Sequence, residues 1–409
     1  MIRATSRRSW SGFVLVAVLL ALTACSYTAD RRVAEGALEE ATAPPFYDLP
    51  SPVPAGKPGD VVRTEKLQSA PPNTNAWRVL YHTTDVTGAD IVVSGVVVGP
   101  DSPAPADGRV VVGWGHPTTG AAPKCAPSNG IDPFDLMEGL SDLLAAGYVV
   151  AAADYPGMGV DGPNSYLIGT SEGNSVLDAV RAARNITETG VTTDSDVLLW
   201  GHSQGGQAVL FAGQAADSYA PDLRVRGVAV AAPAADLGTL LDDHNADASG
   251  VTLGSYAYAA YQSVYSATVP GLSLDQILTP EGAAATPGMA ELCLIGQGDE
   301  LHAEADKLVG RYVAHDPATT DPWAQLLAEN TPGATPLAVP LFAAQGGADT
   351  LVLPAATKHF VSTLCAAGEH VTLQQFPQST HGTIAIDAMA SVMSFLSGAL
   401  AGTPPASTC

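Results

Sequence analysis

Two serines of this chain stand in a glycine-flanked pentapeptide that suits a nucleophile: Ser203 in GHSQG and Ser171 in GTSEG. In the pattern Gly-x-Ser-x-Gly the serine occupies a tight strand-to-helix turn, and glycines two residues to either side relieve the crowding there. Its hydroxyl attacks a carbonyl carbon once a histidine takes the proton and an acid orients that histidine. With 41 glycines in 409 residues the pentapeptide alone is weak, so its surroundings must decide.

The surroundings favour Ser203. The apolar residues Val197–Trp200 run straight into Gly201, and helical spacing resumes directly after Gln204. In an open parallel sheet the reactive groups lie beyond the carboxyl ends of the strands, which is where this serine falls. Ser171 follows the loop DYPGMGVDGPNSYLIG, rich in glycine and proline, and reads instead as a hydroxyl that caps the start of the next helix.

The partners are sought after the serine in the order acid, then histidine. His381, in QSTHG beyond the run VTLQQF, meets the strand-end criterion. His370 precedes that strand, His359 lies inside a helix, and His244, His302 and His315 lie in an irregular middle segment. His202 flanks the serine and reads as a packed side chain, while His82 and His116 come too early. Among the acids, Asp349 in QGGAD follows PLFAAQ; Asp387 sits in a helix, and Asp299, Asp316 and Asp321 fall in the middle segment. Negative charge developing on a carbonyl oxygen needs two backbone N–H donors. Gln204 supplies one, and the loop HPTTG after RVVVGW supplies the other, from Thr118 or its neighbour Thr119.

The elements that must position these groups alternate along the chain. Strand-like runs WRVLYHT, IVVSGVVV, RVVVGW, YVVAAAD, DVLLW and VRGVAVAA are separated by the helical patterns DLMEGLSDLLAAG, SVLDAVRAARNI and QAVLFAGQAA. Short connections between strands and helices call for an α/β fold, a mostly parallel sheet with helices on both faces. The alternation breaks after Pro233 and resumes with PLAVPLFAAQ, so residues from about 235 to 336 read as an inserted, mainly helical cap.

The bulk composition narrows the class further. A formal net charge of −23 argues against nucleic acid or an anionic membrane surface as a partner. Arg3, Arg7 and Arg8 precede an apolar run from Phe13 to Leu22, the form of a signal peptide over residues 1–24. The run ends in Leu22-Thr23-Ala24-Cys25, similar to a bacterial lipobox, which makes Cys25 the expected site of lipidation and membrane attachment. Ordinary secretion is the alternative. Residues 25–60, polar and then proline-rich, read as a tether, leaving 61–409 as the folded domain. In an oxidising compartment the remaining Cys125, Cys293, Cys365 and Cys409 suggest two disulfides. No spacing suggests metal, and the chemistry needs no cofactor.

The segments FYDLP, YHTTD, GHPTTGAAPKCAPSNGID, GYVVAAADYPGMGVDGPNSYLIGTSEG, VLDAVRAAR and GHSQGG, in this order, resemble the secretory lipase family of α/β-hydrolases. That family includes fungal secreted triacylglycerol lipases and actinobacterial relatives. The likeness runs from about Phe46 to the C-terminus. It implies the α/β-hydrolase fold with a cap over the site, and Ser203, Asp349 and His381 as the triad. It also implies disulfides joining Cys125 to Cys293 and Cys365 to Cys409, and no triad role for GTSEG. Pro117 departs from the glycine that many α/β-hydrolases carry before the oxyanion residue.

The expected function is therefore an exported serine hydrolase of acyl esters, foremost a triacylglycerol lipase, with no protein partner implied. A short-chain carboxylesterase, a serine peptidase of the same fold and a non-catalytic binding lipoprotein are the rivals. Within the insertion, Tyr258, Tyr261 and Tyr265 share one helical face. That face is either an apolar wall for acyl chains or the surface that fastens the helix into the cap.

Overall fold

The computed structural model describes residues 45–409 apart from Ile131 and Asn245. The expected signal segment 1–24, Cys25 and the first part of the tether lie outside the described residues. Nine strands form one sheet: β1 (Val61–Lys66), β2 (Thr74–Thr84), β3 (Asp90–Pro100), β4 (Val111–Gly115), β5 (Val149–Ala153), β6 (Asp196–His202), β7 (Arg224–Ala231), β8 (Leu341–Gly346) and β9 (Val371–Phe376). Their spatial order is β1-β2-β3-β5-β4-β6-β7-β8-β9. β1, β2 and β3 pair antiparallel, and β3 meets β5 antiparallel through Gly95↔Ala153 to Val98↔Val150. From β5 to β9 every pairing is parallel.

The helices are α1 (Leu140–Ala145), α2 (Gly169–Arg184), α3 (Gln204–Tyr219), α4 (Leu237–Asp243), α5 (Ala248–Tyr265), α6 (Pro280–Ala290), α7 (Leu294–Asp306), α8 (Trp323–Glu329), α9 (Pro354–Ala366), α10 (Ile384–Asp387) and α11 (Met389–Leu400). Parallel strands buried on both faces read as unbroken apolar runs, as β4, β5 and β6 do. Their side chains alternate between two cores. Val112, Trp114, Val150, Leu198 and Trp200 join Leu143 and Phe395 of α1 and α11 on one face. Val111, Val149, Val197 and Leu199 join Val176 and Val180 of α2 and Val209 of α3 on the other. Each large side chain so buried stabilises the fold by roughly 1.5–3 kcal/mol.

Three expectations change. β1 was hidden in VVRTEK because an edge strand buried on neither face carries no apolar alternation. The expected helix DLMEGLSDLLAAG is helical only over α1, because Gly139 precedes it with φ +81°, a left-handed residue that interrupts the helix. Within the expected tether, two residues pack onto the domain. Phe46 and Tyr47 are buried, and the Tyr47 hydroxyl hydrogen-bonds the Ser128 hydroxyl at 2.7 Å.

Helices α4 to α8 interrupt the sheet domain between β7 and β8. Their tyrosines fasten the cap together and do not line an open wall. Tyr258 stacks on Tyr312 and meets Trp323 edge-on, with centroids 6.3 and 5.7 Å apart. The Tyr261 hydroxyl donates to the Leu167 carbonyl at 3.0 Å, tying α5 to the sheet domain. Cys125 is bonded to Cys293, which joins the loop after β4 to the cap. Cys365 is bonded to Cys409. The tail before Cys409 runs beside the outer strand β9, where the Thr408 N–H donates to the Val371 carbonyl at 2.8 Å. No helix among the described residues is long and apolar enough to cross a membrane.

Candidate active site

Ser203 is the single residue between β6 and α3, with φ +56° and ψ −119°. A non-glycine residue in that region stores roughly 1–3 kcal/mol of strain, which the surrounding packing must hold. Here it is held by close backbone approach. A Cβ on Gly205 would enter the Gly115 carbonyl, and one on Gly115 would lie 2.6 Å from the Gly205 oxygen. The Ser203 N–H donates to the Ala231 carbonyl at 3.0 Å, fixing the turn to β7. Ser171, by contrast, is the third residue of α2 and is buried. Its expected capping role is not met, because Ile168 occupies the cap position and the Leu167 N–H is taken by the Glu172 carboxyl instead.

Asp349 and His381 arrive from the ends of β8 and β9. The two loops are pressed together, since a Cβ on Gly347 would lie 2.8 Å from atoms of Pro377. Asp349 Oδ1 accepts the N–H groups of Leu351 and Val352 at 2.9 and 3.0 Å, which orients the carboxylate. Its Oδ2 stands 2.9 Å from His381 Nδ1, and His381 Nε2 stands 2.9 Å from Ser203 Oγ. A carboxylate is acceptor-only, so Nδ1 carries the histidine proton and Nε2 is left to accept from the serine hydroxyl. Asp349 is buried and Ser203 is 7% exposed, while the His381 side chain between them is 18% exposed.

Gln204 opens α3, in the turn where backbone N–H groups have no intrahelical acceptor. The contact between Gly115 and Gly205 brings the loop after β4 alongside it. In that loop the Thr118 hydroxyl hydrogen-bonds Tyr166 Oη at 2.9 Å. Thr119 faces elsewhere: its hydroxyl donates to the Cys125 carbonyl at 2.8 Å and its carbonyl accepts the Ile295 N–H at 3.1 Å. The loop is thus braced by the cap and by the Cys125–Cys293 bond together. Behind it, His116 is buried, and that burial lowers its basicity.

Two carboxylic side chains near the site escaped sequence reasoning. Glu138 Oε1 stands 2.8 Å from His202 Nδ1, and the His202 ring lies against the His381 ring with centroids 4.9 Å apart. Glu172 is fully buried below Gln204, and burial pushes its carboxyl well above the usual range. Neither contact follows a local pattern, so no motif points to them. Among the described residues no group of histidine, cysteine and acidic side chains is arranged to hold a metal.

A family described as secretory lipase matches residues 135–294. The chain is 29% identical to Lipase A of Moesziomyces aphidis over 240 residues, 54% of this chain and 49% of that protein. It is 30% identical to a probable inactive lipase of Mycobacterium tuberculosis over 209 residues, 47% of this chain and 46% of that protein. It therefore spans about half the length of these relatives. The X-ray structure of Candida antarctica lipase A superposes with a TM-score of 0.75 at 20% identity, covering 90% of this chain and 87% of that one. The rice cell wall degrading esterase LipA of Xanthomonas oryzae superposes with a TM-score of 0.70 at 21% identity, covering 85% and 100%. At these identities the superpositions establish the α/β-hydrolase fold.

Proposed function

Starting from a chain that is kin to the secretory lipases, we propose that it is an exported serine hydrolase that cleaves carboxylic esters of acyl chains, foremost triacylglycerols. The observation that carries the reading is the unbroken contact series Ser203–His381–Asp349, with a serine in a strained turn at its head. His381 Nε2 takes the Ser203 proton as Oγ attacks the ester carbonyl, and Asp349 stabilises the imidazolium that results. The tetrahedral oxyanion is met by the backbone N–H of Gln204 and one from the loop at Thr118 or Thr119. The imidazolium then gives its proton to the departing alcohol, leaving an acyl group on Ser203. Water, deprotonated by His381, attacks that acyl group, and Ser203 recovers its proton as the fatty acid leaves.

The domain organisation is part of the same proposal: a signal peptide over 1–24, lipidation at Cys25, a tether, and a hydrolase domain with a cap over about 235–336. One relative is named as inactive, so the activity itself is the thing to measure. Hydrolysis of p-nitrophenyl esters from acetate to palmitate, of a triolein emulsion and of a peptide p-nitroanilide separates the readings. Turnover of long-chain esters and triolein is expected. Turnover of acetate alone would assign a short-chain carboxylesterase, and turnover of the anilide alone a peptidase.

A further inference from the structure

Glu172, on the first turn of α2, takes no part in ester cleavage as described above, yet it is completely buried. Its Oε1 accepts the Gln204 side-chain N–H at 2.7 Å and the Leu167 backbone N–H at 3.0 Å. Its other oxygen, Oε2, is buried with no hydrogen-bond partner, and so is the carbonyl oxygen of the Gln204 side chain. Buried polar atoms are rarely left unpaired, and each exception asks for an explanation. Two orphan acceptors on two groups that already share one hydrogen bond need a single donor between them.

Among the described residues no cation answers a charge at this position. The titratable groups that feel Glu172 are Tyr155, Tyr166 and Tyr261, from two stretches of loop and from α5. Burial pushes all three phenols up, so they stay uncharged through neutral pH. The positive end of α2 offsets part of the burden of a buried carboxylate. Removal from water outweighs it, and the neutral acid is the favoured form.

We propose that Glu172 is kept as the neutral acid and closes a two-hydrogen-bond ring with the Gln204 carboxamide, thereby holding Gln204 in place as the oxyanion donor. The acid O–H donates from Oε2 to the Gln204 carbonyl, and the Gln204 N–H donates back to Oε1. Glu172 is then a positioning residue, acting through the residue that follows the nucleophile. Leu167 secures the ring from the far side. Its φ is +56°, its N–H meets Glu172, and its carbonyl accepts from Tyr261 Oη and from the Gln207 side chain at 3.0 and 3.1 Å. The inference rests on the oxyanion role of Gln204 argued above.

Infrared difference spectra of wild type against Glu172→Gln test the protonation state without reference to activity. A carboxylic-acid C=O band in wild type at neutral pH, missing in the variant, is expected; its absence from wild type overturns the neutral acid. Kinetics on p-nitrophenyl butyrate test the positioning. Glu172→Gln restores both hydrogen bonds with an amide and should keep kcat within about threefold, without the alkaline decline expected of wild type as the proton leaves. Glu172→Ala should lower kcat by roughly 10–100-fold with KM little changed. An amide variant as poor as the alanine variant, or an alanine variant with unchanged kcat, overturns the proposal. Should the alanine variant fail to fold, the amide variant and the infrared band still decide. A Ser203→Ala enzyme that remains active, with the band present, would instead count against the site reading alone.

Discussion

At the scale of the residue, Ser203 is strained and Ser171 is not: one has φ +56° between strand and helix, the other sits relaxed within α2. Ser203→Ala should therefore reduce ester hydrolysis roughly a millionfold while leaving the melting temperature nearly unchanged. Ser171→Ala should keep most activity, and the reverse result would reassign the nucleophile. Glu172 supplies a pH dependence of known sign. Because burial raises its carboxyl, the folded protein holds a proton that the unfolded chain releases. Stability from this site is full below the ordinary glutamate value, declines as pH climbs above it, and levels off once the folded group ionises. Calorimetry of wild type and Glu172→Gln across that range should show wild type losing melting temperature relative to the variant; a constant difference would contradict this. Ser203, Asp349 and His381 came to notice because each follows a strand-like run at its carboxyl end, a one-dimensional signal. Glu172 and Glu138 carry no such signal, since what matters about them is a contact 32 residues away with Gln204 and one 64 residues away with His202.

At the scale of the element, the parallel strands were legible because burial on both faces forces apolar runs such as VVAAA and DVLLW. β1 was not, since pairing with β2 alone leaves its outer residues free to be polar. The tyrosine face of α5 fitted two readings, because helical spacing reports which side is buried and not what covers it. Packing between elements yields sharper tests. Gly205→Ala sets a methyl group into the Gly115 carbonyl, backbone against backbone, so β4 and α3 must part. A loss of about 3 kcal/mol or more in urea unfolding is expected, with activity falling alongside. The Cys125–Cys293 bond braces the loop at Thr118 and Thr119 as well as the cap. Replacing both cysteines by serine should lower stability by roughly 3–5 kcal/mol in the chain-entropy view. On the proposed oxyanion role of this loop, it should also lower kcat on acetate esters; unchanged turnover of acetate would show that the cap alone is held.

At the scale of the whole molecule, attachment and durability are the open properties. If Cys25 is lipidated, the exported protein partitions into detergent and Cys25→Ser moves it to the aqueous phase; a wild-type protein already found there would rule the anchor out. Durability follows from where the two disulfides sit along the chain. The first spans 168 residues and the second 44, and the stretch from Leu294 to Leu364 lies inside neither ring. A protease that cuts the exposed turn at Ser266–Thr268, within the first ring, leaves its two products chained by Cys125–Cys293. A cut at the exposed residues Ala334–Pro336 does not: it leaves Asp349 and His381 on a piece no longer covalently joined to Ser203. Limited digestion run on gels with and without reductant would distinguish the two nicks. Nicks between Cys125 and Cys293 are held by a disulfide and nicks between Leu294 and Leu364 are not, so a single scission before β8 leaves Ser203 on one polypeptide and Asp349 and His381 on another.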